Sequence, residues 1–206
     1  MSSPVTVSAL ARAKGLDPQV LAGYAVHDVP QGVRIPYASP DGVPRRARLR
    51  TALRGADGSI WEDSGAPLGA YWHPSVPALL RERPKMLLVE GESDCWTAWS
   101  QGVAALGVPG GDAWDTIGPG HLAGAAEIHV VVEPGDDPRT YPRGVHAYVA
   151  GVVERLRAIG HRGEIRRLQP PQGLDDINAL YRADPAGFTA CVGALMAGSR
   201  PAVENG

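Results

Sequence analysis

Acidic residues collect at two places in this 206-residue chain, and in each they directly follow a short apolar segment. The two apolar segments are 86–89 and 128–132, and the acids after them are Glu90, Glu92, Asp94, Glu133, Asp136 and Asp137. Carboxylates brought together repel one another unless a cation lies between them. Oxygen ligands without nearby His or Cys favour Mg²⁺ or Mn²⁺ over zinc. If the fold brings the two groups together, they predict a site for a hard divalent cation.

The same acids also have a purely structural interpretation. Glu92, Asp94 and Asp137 stand where helix caps or turn residues are expected, and for Asp94 the two interpretations are equally good. Glu90 fits a structural role less well, because it ends an apolar strand and precedes Gly91.

A run of arginines lies upstream, within residues 42–56, where there is no acidic residue. Its members are Arg45, Arg46, Arg48, Arg50 and Arg54. On a strand, Arg46, Arg48 and Arg50 would share one face, because side chains alternate. That face could follow a single-stranded nucleic acid or bind an incoming triphosphate. A solvated edge strand protected by its charges is the structural alternative.

Charge is unevenly distributed, although the formal net charge is only −2. Residues 1–89 carry 11 basic and 7 acidic residues, residues 90–138 carry 9 acidic and no basic ones, and residues 139–206 carry 9 basic and 6 acidic ones. An acidic middle between basic flanks suits a cation site that faces a polyanion, although a solvated acidic surface would give the same pattern. Arg139 and Arg143, just after the acidic loop, could reach a triphosphate.

Composition excludes several classes of protein. No apolar run approaches the ~18 residues of a membrane helix, and the first residues lack the pattern of a secretory signal, so we expect a cytoplasmic protein. Cys95 and Cys191 stand alone, which excludes a disulfide framework and a cysteine zinc site.

The elements that must position these residues fall into two parts. Residues 1–84 predict two short helices, the second beginning at Asp17-Pro18, and then a small antiparallel sheet with strands at 33–37, 45–53 and 59–61. Residues 85–198 alternate strands and helices, which predicts a mainly parallel α/β sheet flanked by helices. We expect a flexible tail from 199 to 206. In such sheets ligands bind at the carboxyl ends of the strands, where Glu90 and the acids after 132 would lie.

The order of motifs resembles the TOPRIM domain of phage and plasmid primases over about residues 5–197. The matching segments are Leu88-Val89-Glu90-Gly91-Glu92-Ser93-Asp94, then Leu106-Gly107-Val108-Pro109-Gly110-Gly111, then Val130-Val131-Val132-Glu133-Pro134-Gly135-Asp136-Asp137, then Gly173-Leu174-Asp175-Asp176-Ile177-Asn178-Ala179-Leu180. The basic part upstream resembles the subdomain that precedes TOPRIM in these primases. The resemblance implies a TOPRIM-like, Rossmann-type sheet after a small basic α+β subdomain.

The resemblance also implies an activity, the metal-dependent synthesis of short primers on single-stranded DNA. Glu90 would be the metal ligand or general base nearest the chemistry, with Asp94 as a second catalytic residue, and Glu133 with Asp136 or Asp137 would hold Mg²⁺ or Mn²⁺. The implied nucleotide-binding residues are Gly91, Gly110, Gly111, Arg139, Arg143, Asp175 and Asp176. The implied partners are a single-stranded DNA template, NTPs, and a helicase or other replication protein on a separate chain.

Two other functions stay open, a nuclease that would use the same acids and a binding module that a departure from the family pattern would allow. Glu133 and Gly135 stand where the family has the two aspartates of Asp-x-Asp, so Asp136 or Asp137 would have to supply the second ligand. The alternatives are a TOPRIM nuclease and a non-catalytic module that binds nucleic acid or a replication partner.

Overall fold

A computed structural model describes residues 4–53, 58–62, 65–110, 112–132 and 144–202. Among them no helix has the length and apolar character needed to cross a bilayer.

Two helices begin the fold, as predicted. The helix α1 (Val7–Lys14) starts at Thr6, whose hydroxyl accepts a hydrogen bond from the Ala9 N–H, and ends at Gly15 in the left-handed conformation. The helix α2 (Pro18–Gly23) is capped by Asp17, as expected from the sequence.

A four-stranded antiparallel sheet follows, with the strands in chain order. Its strands are β1 (His27–Val29), β2 (Gly32–Ile35), β3 (Arg48–Arg50) and β4 (Ser59–Trp61). The strand predicted over 45–53 is only three residues long. Just before it, the Glu62 N–H donates to Ala47 O and so continues the pairing with β4, whereas the Arg46 N–H donates to Pro67 O and leaves that pairing. After it, Thr51 and Ala52 both donate to Gly58 O.

A five-stranded sheet forms the second half in the order β6-β5-β7-β8-β9, parallel except for β9. Its strands are β5 (Lys85–Val89), β6 (Ala104–Gly107), β7 (Glu127–Val131), β8 (Glu164–Leu168) and β9 (Arg200–Pro201). The helices are α3 (Val76–Glu82), α4 (Glu92–Ser100), α5 (Val145–Ala158), α6 (Ile177–Ala183) and α7 (Phe188–Gly198). Because β5 and β7 are neighbours, the chain leaves both strands at the same edge. The mainly parallel α/β fold class is confirmed.

One continuous core joins the two sheets. At the junction the backbones of Tyr71 and Gly107 exchange hydrogen bonds of 2.7 and 2.9 Å. A Cβ on Gly107 would lie 3.0 Å from the Tyr71 Cβ and 3.1 Å from the Cys95 sulfur, so the close approach favours glycine. The boundary predicted at residue 84 stays a prediction.

A flexible tail is predicted from residue 199, but residues 199–202 pack against the second sheet. Strand β9 pairs with β8, and the buried Ser199 donates to Met196 O, accepts from Arg166 Nε and contacts His129. These long-range contacts give no signal in the sequence of the tail. Residues 203–206 lie outside the described residues.

Asn178 holds three helices together beneath the carboxyl edge of the sheet. Its side-chain amide is buried and donates to Lys14 O at 2.8 Å and to Thr97 Oγ1 at 2.9 Å, while its backbone N–H donates to Asp94 Oδ1 at 2.9 Å. The residue therefore fixes the end of α1, the start of α4 and the start of α6 relative to one another.

We predict that Asn178→Ala destabilises the protein by about 2–4 kcal/mol, because it leaves buried polar partners on Lys14 and Thr97 without their donor. The measurement is the free energy of unfolding in urea. Gln19→Ala, which removes an exposed amide from α2, is the control. If Asn178→Ala lowers the free energy of unfolding by no more than Gln19→Ala does, Asn178 does not hold the three helices together.

A second prediction concerns His129, a fully buried residue of β7 whose Nε2 lies 3.1 Å from Glu127 Oε1. Burial lowers the pKa of His129 from 6.5 to about 4, opposed by Glu127 and aided by Lys85 and Arg166. Between pH 6.5 and about 4 the His129 imidazole therefore binds a proton more readily in the unfolded chain than in the folded protein. The free energy of unfolding falls as the pH is lowered through this range.

His129→Gln should flatten that dependence even if it lowers stability overall. The measurement is the unfolding free energy at pH 7, 6 and 5, with His146→Gln on the surface of α5 as the matched control. Equal slopes for His129→Gln and the unmodified protein would show that this histidine does not couple to folding.

Candidate active site

Glu90 directly follows β5, and Gly91 is the N-cap of α4, so the acid lies at the carboxyl edge of the parallel sheet. It lines a pocket of about 260 Å³ between this edge, the second half of α1 and the face of β3. The charged residues that line the pocket are Lys14, Arg48, Arg50, Glu90, Glu92, Asp94 and Asp176. The structure thus brings part of the predicted acidic group together with part of the predicted arginine run.

Two of the acids that line the pocket are bonded within the protein. Asp94 is only 4% exposed, and its Oδ1 accepts the Asn178 N–H. Asp176 is the N-cap of α6, and its side chain accepts from the Ala179 N–H. Both carboxylates therefore hold the start of α6 at the pocket. The catalytic role predicted for Asp94 stays a prediction. Asp175, the neighbouring candidate, is exposed.

Glu92 has a role that the sequence did not indicate. Its Oε1 accepts a 2.6 Å hydrogen bond from the Tyr37 hydroxyl and lies 3.2 Å from Arg48 Nη1, and its side chain is only 11% exposed. Burial, and secondarily Glu92, raises the pKa of Tyr37 well above 10. Nothing local could have revealed this contact, since its partners are 55 and 44 residues away in sequence.

Arg48 and Arg50 alternate along β3 and both line the pocket, as the predicted strand face requires. Arg48 donates from Nε to Ser59 Oγ at 3.0 Å, and its guanidinium carbon lies 5.3 Å from the centre of the Trp61 ring. Arg50 donates to the carbonyls of Ala52 and Leu53, both at 2.8 Å, and burial lowers its pKa.

Arg45 and Arg46 are not among the residues that line the pocket. The common face predicted for Arg46, Arg48 and Arg50 is found for Arg48 and Arg50, and it stays a prediction for Arg46. Arg46 precedes β3, and its Nε donates to Ala66 O at 3.2 Å. Arg45 pairs with Asp41 at 2.5 Å, beside a different groove.

Lys14 is a pocket residue that the sequence analysis missed. It is the last residue of α1, and its carbonyl is fixed by the Asn178 amide at 2.8 Å. The sequence places Lys14 near the end of a predicted helix, but this local pattern does not indicate that the helix lies beside Glu90, about 75 residues further along the chain.

Gly110 also lines the pocket, with φ at +105°, a conformation that favours glycine. The remaining predicted site residues lie outside the described residues and stay predictions. They are Arg54, Gly111, Glu133, Asp136, Asp137, Arg139 and Arg143.

No protein-family model and no curated protein sequence matches this chain. Solved structures do match it in fold. A DnaG primase catalytic domain bound to single-stranded DNA gives a TM-score of 0.69 at 16% identity, over 94% of this chain and 71% of that chain. The E. coli primase catalytic core gives 0.60 at 14% identity, over 95% and 75%.

The primase fragment of the bacteriophage T7 primase-helicase protein gives a TM-score of 0.59 at 14% identity, over 89% of this chain and 71% of that chain. These identities are too low to carry residue roles across, but the matches cover nearly the whole chain in each case. The chain therefore has the fold of the primase catalytic core, with Glu90 at the carboxyl edge of its parallel sheet.

Proposed function

We propose that this chain is a primase-type nucleotidyltransferase, which synthesises short primers on single-stranded DNA from NTPs. The observation that carries the proposal is the pocket itself. An acid at the end of β5 faces three cationic side chains, Lys14, Arg48 and Arg50, across one cavity in a primase-like fold.

The two signs of charge suit the two parts of the reaction. In nucleotidyl transfer a hydroxyl oxygen attacks the α-phosphorus of an NTP, a new P–O bond forms, and pyrophosphate leaves. Cationic side chains attract triphosphate and backbone phosphates and stabilise the charge that develops on their oxygens. A carboxylate beside them holds a divalent cation or takes the proton of the attacking hydroxyl.

The chemistry of the donor set fits Mg²⁺ or Mn²⁺ in part. Glu90 is a hard oxygen donor, but the described residues include no group of three or more His, Cys, Asp or Glu that could hold a metal ion. The proposal therefore requires further ligands from Glu133 with Asp136 or Asp137. They follow β7, the neighbour of β5, by only two to six residues. A bound divalent cation would supply charge neutralisation at the phosphate oxygens.

The glycines of the pocket have a steric part in this proposal. At Gly110 an added Cβ would meet nothing within 4 Å, so phosphate oxygens have room to approach the backbone there, whereas at Gly91 it would lie 3.1 Å from Asp94 Oδ2. Gly91 would be the strand-to-helix turn beside the phosphates, and Gly111 would extend the open surface. Arg139 and Arg143 would bind the triphosphate, and Asp175 and Asp176 would lie beside the nucleotide. Arg45, Arg46 and Arg54 would contact the template outside the pocket.

The proposed partners follow from the same chemistry. One solved structure with this fold is of a primase bound to single-stranded DNA, and another is a fragment of a primase-helicase protein. We propose a single-stranded DNA template and NTPs for this chain, a helicase or other replication protein as a separate partner, and a place in phage or plasmid replication in the cytoplasm.

Primer synthesis on single-stranded DNA, with labelled NTPs and Mg²⁺ or Mn²⁺, tests the proposal. We predict short products from the unmodified protein and a loss of at least about 10²-fold in Glu90→Gln, which keeps the size of the side chain but removes its charge. Glu154→Gln, an exposed change on α5, is the control and should leave synthesis intact.

Other products would identify the alternatives. Cleavage of labelled DNA that depends on Glu90, without synthesis, would indicate a nuclease. DNA binding with neither synthesis nor cleavage would indicate a non-catalytic binding module. Either result contradicts the proposed function.

Lys14 provides a separate prediction about binding. Lys14→Gln should weaken the binding of single-stranded DNA and reduce the slope of log K against log salt by about 0.7, the loss of one phosphate contact. The measurement is fluorescence anisotropy with a labelled oligonucleotide over a range of salt concentrations.

Arg12→Gln is the matched control, because it removes a positive charge from the exposed surface of the same helix. If both variants weaken binding equally, Lys14 acts only through net charge and its assignment to the pocket contact is wrong.

A further inference from the structure

Glu92 lies in the first turn of α4, yet its carboxylate is directed to the other sheet. The N-cap of this helix, Gly91, provides no side-chain cap, and Oε1 of Glu92 contacts the Tyr37 hydroxyl and Arg48 Nη1 instead. A nearly buried carboxylate thus occupies one side of a guanidinium that lines the candidate active site.

Arg48 does not depend on Glu92 alone for its position. Its Nε is held by Ser59 Oγ, and its guanidinium packs near the Trp61 ring, which itself meets Tyr37 edge-on at 5.1 Å. The guanidinium is therefore presented to the pocket by β3 and β4. Glu92 adds mainly a negative charge at 3.2 Å from one of its nitrogens.

A carboxylate and a phosphate oxygen compete for the same donors of a guanidinium. When Arg48 is paired with Glu92, a phosphate that enters the pocket must share the guanidinium with the carboxylate or displace it. The pair therefore reduces the attraction that Arg48 exerts on a polyanion, while it keeps the arginine at the pocket.

We propose that Glu92 is an internal competitor for phosphate at Arg48, which weakens the hold of the active-site pocket on the nucleic-acid backbone. This inference rests on the proposed function, because it concerns the polyanion that a primase must bind and release. It assigns Glu92 to the tuning of affinity and not to catalysis.

The test is Glu92→Gln, measured as binding of single-stranded DNA by fluorescence anisotropy in EDTA, so that no metal site contributes. The glutamine keeps an oxygen that can accept from Tyr37 and Arg48 but carries no charge. We expect binding about fivefold tighter at low ionic strength, and a salt slope steeper by about 0.7 as one more phosphate contact forms.

Two further variants separate this effect from net charge and from folding. Glu62→Gln removes the same charge from the Arg34–Glu62 pair on the same antiparallel sheet, outside the pocket lining, and should leave affinity nearly unchanged. In the background of Arg48→Gln, the added change Glu92→Gln should no longer tighten DNA binding, so the double variant should bind with the affinity of Arg48→Gln alone. Thermal unfolding of each variant verifies that the fold is kept.

The outcomes distinguish the two levels of the proposal. If the unmodified protein binds DNA but Glu92→Gln binds no more tightly, or no more tightly than Glu62→Gln, the competitor role is wrong and the primase proposal stands. If the gain persists without Arg48, Glu92 acts on another group and the inference is overturned. If no form of the protein binds single-stranded DNA, both proposals fail.

Discussion

The parallel pairing of β5 with β7 is the constraint on which the candidate site depends. Leu88 is in register with Val130 at the centre of the sheet, so the chain must leave both strands at one edge. Glu90 is fixed there by a buried apolar strand, since residues 86–89 are at most 1% exposed. Burial of this strand supplies hydrophobic free energy, and this holds Glu90 in the pocket that acidic and basic side chains share.

Elements far apart in the sequence complete the pocket through a few polar contacts. Asn178 ties Lys14 at the end of α1 to Asp94 at the start of α4. Glu92 ties the same helix to Arg48 and Tyr37 of the antiparallel part. These contacts are buried or nearly so, where an unmet polar group is costly. They set both the geometry of the pocket and the balance between its acidic and cationic side chains.

Local patterns in the sequence were sufficient for most of the fold. The Asp17-Pro18 cap, the apolar strand before Glu90 and the alternation of strands and helices after residue 85 are short-range signals, and the structure has each of these features. The sequence could not reveal that Arg46 lies outside β3, that Ser199 anchors a fifth strand, or that Glu92 contacts Arg48 and Tyr37. Each of these depends on tertiary contacts between distant segments, which override local propensity.

The central claim is that the pocket beside Glu90 is a metal-assisted phosphate site, and anomalous diffraction tests it most directly. Crystals grown with Mn²⁺ and a nucleoside triphosphate should show an anomalous peak within coordinating distance of the Glu90 carboxylate, with the triphosphate toward Lys14, Arg48 and Arg50. The peak should be lost in Glu90→Gln crystals under the same conditions. A peak that persists in that variant, or nucleotide bound away from this pocket, would contradict the account.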